Sequence, residues 1–157
     1  LIRYSQAKEV ADMQTEELLT GAESIVRAKF PDGIKGMVSE VYMRTSFGGW
    51  ICKPYMVRSK KQSAANARVV ALMIAAMEHH GILVGVVQVS SGWIVEGSPL
   101  LPVLDPQQHP ARKEILLFNG RGPHGPRIRV YEVTRKGKHK LPSRLVGAFA
   151  MYPEGRE

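Results

Sequence analysis

Cysteine is almost missing from this 157-residue chain, and Cys52 stands alone. One cysteine excludes an internal disulfide and a cysteine zinc site, and it fits a reducing compartment rather than secretion. Long apolar runs are missing as well. The longest, Val69–Met77 and Ile82–Val87, fall well short of the roughly 20 residues needed to span a bilayer. Leu1–Ala11 lacks an apolar core of signal-peptide length. The expected setting is therefore cytoplasmic rather than secreted, with no membrane partner.

Recognisable chemical motifs are scarce too. His79 and His80 are adjacent, so on a helix they point in different directions. The i, i+4 histidine pair with a glutamate that a zincin needs is absent. Gly120-Arg121-Gly122-Pro123-His124-Gly125-Pro126 is rich in glycine and proline, but no GK[ST] follows it, so it is not a phosphate-cradling P-loop. It reads as an exposed loop whose glycines let backbone approach a ligand. The aromatic pattern of the RNA-recognition module and the GXXG loop of a KH domain are both absent. No cofactor, no metal site and no catalytic residue follow from these patterns.

Acidic residues are scarce in one stretch. From Ala111 to Arg144 only Glu114 and Glu132 stand against ten Lys or Arg, a surplus equal to the chain's entire net charge of +8. Charge gathered into about a fifth of the chain is what a polyanion-binding surface requires.

The stretch around which the rest is organised is Ser59–Val89. Ser59 with Gln62 forms a capping-box signature, and Gly81 is placed to close a helix in the left-handed conformation. Val69–Met77 contains no polar residue, which predicts a helix over Lys60–His80 buried on every face. Ile82–Val89 then reads as an interior strand. Upstream, Leu1–Met13 reads as a helix or ordered arm. Thr15 reads as the N-cap of a helix with an apolar stripe Leu18, Ala22, Ile25, Val26 and Phe30. Its acids read as a solvated face.

Ile34–Thr45 and Trp50–Val57 read as a hairpin whose second strand, carrying Pro54, belongs at a sheet edge. Cys52 in that strand reads as a buried structural residue. Downstream, Ser90-Ser91-Gly92 reads as a turn before a short strand Trp93–Glu96, and Ser98–Pro110 as an extended connection. Arg112–Asn119 reads as a strand. Arg127–Thr134 reads as a strand with Arg127, Arg129 and Tyr131 on one open face. Thr134–Lys140 reads as a hairpin tip, and Leu145–Tyr152 as the returning strand. The fold expected is a single α+β domain over residues 1–157: a mostly antiparallel sheet on a buried central helix, with an N-terminal helix and a basic C-terminal β-ribbon.

Function follows from the charge. The expectation is a nonenzymatic nucleic-acid-binding component of a nucleoprotein assembly, with RNA or single-stranded DNA as partner. Arg121, Arg127, Arg129, Arg135, Lys136, Lys138, Lys140 and Arg144 would neutralise phosphates, and Tyr131 would stack a base. Lys60 and Lys61, cations at a helix N-terminus, would add a secondary phosphate contact. One alternative is a structural module that binds protein subunits of a larger assembly through Pro99–Leu104 or the strand containing Pro54. The other is a nuclease or other nucleic-acid-processing enzyme drawing acids and bases from Asp105, His109, Glu114 and His124.

Overall fold

The computed structural model describes residues 4–31, 33–34, 38–55, 59–94, 112–122, 125–136 and 139–145. Its elements run α1 (Tyr4–Lys29), β1 (Ser39–Thr45), β2 (Trp50–Pro54), α2 (Lys60–His79), β3 (Leu83–Ile94), β4 (Lys113–Gly122), β5 (Gly125–Lys136) and β6 (His139–Leu145). The strands form one sheet in the order β2-β1-β3-β4-β5-β6, antiparallel at every pairing. The class is α+β. β2, with Pro54, is an edge strand, where a missing ladder donor costs least. No helix among the described residues is long and apolar enough to cross a membrane.

α1, not α2, closes the main core. Leu18, Leu19, Ala22 and Val26 pack on Tyr42, Val87, Val89, Leu116, Phe118 and Tyr131 across four strands. Three glycines bring the helix down onto the sheet. A Cβ at Gly85 would stand 2.4 Å from Leu18 Cδ1, one at Gly120 2.7 Å from Leu19 Cδ2, and one at Gly122 2.9 Å from Thr15 Oγ1. Glycine in a strand often marks such a close approach. Their use corrects the reading of Gly120–Pro126 as a loop: β4 runs on to Gly122 and β5 begins at Gly125. Thr15 is likewise not an N-cap. α1 passes straight through it, and Thr15 is buried against β4.

α2 occupies the opposite face, over β1, β2 and β3. Val70, Met73, Ile74 and Met77 meet Val41, Met43, Ile51 and Val86. Its ends follow local chemistry. Ser59 Oγ accepts from the Gln62 amide at 3.2 Å. Gly81, at φ 66°, donates to the Glu78 carbonyl while Ile82 donates to Met77, the paired bonds of a Schellman closure. The reciprocal half of the capping box does not form, because the Gln62 side chain bonds Asn66 instead.

Burial on every face is also corrected: only Val70 and Met77 of α2 are buried, because the sheet offers it one side. The expected turn at Ser90–Gly92 is absent. β3 continues unbroken to Ile94, and Ser91 is recruited to β1's approach, its amide donating to the Val38 carbonyl and its hydroxyl accepting from the Val38 amide.

Candidate nucleic-acid interface

β5 carries four of the cations that sequence reasoning assigned to phosphate binding, Arg127, Arg129, Arg135 and Lys136, and its register sorts them. Arg127, Arg129 and Tyr131 do share a face, opposite Gly120, Phe118 and Leu116 of β4. That face lies under α1, which corrects its reading as open. Arg129 is engaged on three sides: Nη2 lies 2.8 Å from Glu16 Oε2 and 3.2 Å from Thr20 Oγ1, and Nη1 lies 3.5 Å from Glu23 Oε1.

The Tyr131 hydroxyl donates to Glu23, its ring meets Phe118 edge-on at 6.0 Å, and the Arg27 guanidinium lies 5.3 Å from its centroid. Burial, then the bond to Glu23, pushes the Tyr131 phenol above its ordinary range. Glu16 and Glu23, read as a solvated face, are the carboxylates that hold this group to the helix. Arg127 is half-buried and donates to the Pro126 carbonyl at 3.1 Å. Arg121 is exposed on the other face of β4, opposite Val86.

The ribbon itself is an antiparallel pairing of β5 with β6. Its register sets Arg135 opposite Lys140, Lys136 opposite His139, and Arg144 opposite Glu132. Pairing runs on to Lys136 and His139, inside the segment read as a hairpin tip. Pro142 falls at Val133, beside a register shift, which is where a strand tolerates a missing donor. Lys138, His124, Asp105, His109, Pro99–Leu104 and the strand expected beyond Leu145 lie outside the described residues.

Lys60 and Lys61 are exposed in the first turn of α2, close behind β2. β2 and β6 are opposite edges of a six-stranded sheet, about 24 Å apart at ~4.8 Å per strand. The lysines therefore do not join the ribbon.

An aromatic–cation pair that sequence reasoning missed does stand near the ribbon. The Arg112 guanidinium lies 5.0 Å from the half-buried Trp93 ring, at the end of the sheet where β3 finishes, β4 begins and β5 turns into β6. Trp93 pairs with Glu114, 21 positions on in the sequence, so no local pattern linked it to the basic segment.

Cys52 belongs to a separate cluster on α1, β1 and β2, and it is exposed, not buried. Its thiol donates to Glu40 Oε2 at 3.2 Å. Lys29 ion-pairs with the same carboxylate, and the Tyr42 hydroxyl donates to Oε1 at 3.1 Å. Partial burial opposes ionisation of Glu40, but the bonds from Lys29, Cys52 and Tyr42 outweigh it and hold the carboxyl below its usual range. Burial and the adjacent carboxylate push the Cys52 thiol up. Little thiolate forms at neutral pH, so Cys52 is a poor nucleophile. Alkylation of folded protein by iodoacetamide should be slower than that of the urea-unfolded chain at the same pH. Glu40→Gln should speed it. Equal rates in all three samples would show that the carboxylate does not suppress the thiol.

Among the described residues no group of His, Cys, Asp and Glu is arranged to hold a metal. Comparison with family models, with curated proteins and with solved structures gives no match, so the reading of the site rests on its geometry.

Proposed function

We propose that the protein binds single-stranded nucleic acid, RNA or DNA, along the β5–β6 ribbon and the adjoining end of the sheet, as a nonenzymatic component of a nucleoprotein assembly. The observation that carries the reading is the β5–β6 register. Residues 134–145 contain five Lys or Arg and no acid, and the pairing sets four of them, Arg135, Lys136, Lys140 and Arg144, on one antiparallel ribbon at the sheet edge. Phosphate contacts of that kind give affinity without sequence choice. Trp93 with Arg112 supplies an aromatic and guanidinium surface of the sort on which bases stack. Arg129 and Tyr131 leave the proposed contact set because α1 occupies them. Lys60 and Lys61 leave it because of their distance.

Cations at a sheet edge also discourage strand addition by other chains, so the test must read binding itself. Fluorescent single-stranded RNA, single-stranded DNA and duplex DNA are titrated across a salt series. Five phosphate contacts on a single strand predict a log–log salt slope of about −3.5, or roughly a hundredfold loss of affinity between 50 and 200 mM salt. Replacing Arg135, Lys136, Lys138 and Lys140 with alanine should reduce the slope to about −0.7. Trp93→Ala should weaken single-strand binding by about 1–3 kcal/mol while sparing the duplex. Absence of binding at low salt, or an unchanged slope in the quadruple variant, would overturn the proposal.

A further inference from the structure

α2 contains the chain's longest run without a polar residue, Val69–Met77, and turns much of it to solvent. Val69 is 49% exposed and Leu72 70%. Ala65, Ala71, Ala75 and Ala76 are exposed around them. The sheet side of the same helix is already satisfied by Val70, Met73, Ile74 and Met77. Bulky residues at the centre of a face, ringed by alanines that allow axes to approach closely, suit a helix–helix contact. Arg68 and Glu78 lie on one side of this face, and both are exposed.

We propose that α2 pairs antiparallel with α2 of a second copy, about a two-fold axis near Leu72. The charges choose both the occupant and the direction. A parallel pair would stack Lys61 on Lys61 and Arg68 on Arg68. The antiparallel pair separates the two Arg68 side chains by eight helical positions, about 12 Å along the axis. It sets Val69 beside Ala76 of the partner subunit, on the same side of the face and one helical position away along the axis. It also brings Arg68 within two helical positions, about 3 Å axially, of Glu78 of the partner subunit on the same flank. The patch is thus its own complement, as an isologous contact requires. One helix pair is small for a stable interface, so dissociation in the micromolar range is expected. The proposal is independent of nucleic-acid binding.

The test is sedimentation equilibrium of the full chain, nuclease-treated, over a micromolar concentration series. The wild type should pass from monomer to dimer, and Leu72→Glu should stay monomeric. Arg68→Glu and Glu78→Arg should each weaken the dimer about tenfold by facing like charges, and the double variant should recover wild-type affinity. All three substituted positions are exposed, and circular dichroism checks that each variant folds. A wild type that stays monomeric throughout would overturn the proposal, whether or not the protein binds other partners. So would a dimer untouched by Leu72→Glu, and failure of the double variant to recover would overturn the antiparallel register.

Discussion

Gly85→Ala should destabilise the protein by about 3 kcal/mol, at the upper end of what overpacking usually costs. The added Cβ would meet Leu18 Cδ1 at 2.4 Å and the Arg121 carbonyl oxygen at 3.0 Å. A buried leucine tip can turn aside only into neighbours that are themselves packed, and a ladder carbonyl cannot turn at all. Gly120→Ala should cost less, because its obstacle at 2.7 Å is the far end of Leu19 and the nearest backbone atom is 3.8 Å away. Gly92→Ala is the control. Nothing lies nearer than 3.9 Å, so replacing glycine there should be neutral or slightly stabilising through the unfolded chain. Urea midpoints of the three variants give the ranking directly. Equal midpoints for Gly85→Ala and Gly92→Ala would mean that α1 does not sit on the sheet at the depth described.

The same glycines show what sequence can and cannot convey. A glycine in a loop and a glycine beneath a helix look alike locally, and Gly120 and Gly122 beside two prolines read as a loop. Thr15 carried a good N-cap signal, but burial against β4 took it into the middle of α1. Ser90-Ser91-Gly92 had turn chemistry, yet Ser91 is bonded to Val38, 53 residues away.

Local signals that needed no distant partner fared better. Ser59 and Gly81 bound α2 because capping is settled within one turn, and Pro54 marked an edge strand because it lacks a donor wherever it stands. The apolar run of α2 was legible as a helix, but its surroundings were not: the absence of polar residues says that every face suits burial, not that the chain supplies a cover for each. On the candidate interface, the surplus of cations could be counted from sequence. Which cations already have partners could not, since the acids that engage Arg129 are 113 and 106 residues away.

Arg129→Ala tests that last distinction. It should lower the unfolding free energy by about 3 kcal/mol, the low end for breaking one side of a buried ion pair. The low end applies because Glu16 is 44% exposed, whereas Arg129 and Glu23 are 14% and 18% exposed. Part of the loss comes from Glu23, left largely buried with only Arg27, at 3.4 Å, as its cation. Glu23→Gln should therefore be less than additive with Arg129→Ala in a double-mutant cycle. Affinity for single-stranded probes should stay nearly unchanged in Arg129→Ala under conditions where it remains folded, whereas Arg135→Ala should weaken binding and leave the urea midpoint nearly unmoved. The opposite pattern would require α1 to lift from β5 when nucleic acid binds, exchanging Glu16 and Glu23 for phosphates. In that case the binding constant of the wild type should fall when α1 is tethered to β5 by an engineered disulfide. A constant unaffected by the tether would leave Arg129 and its two carboxylates as the clamp between helix and sheet.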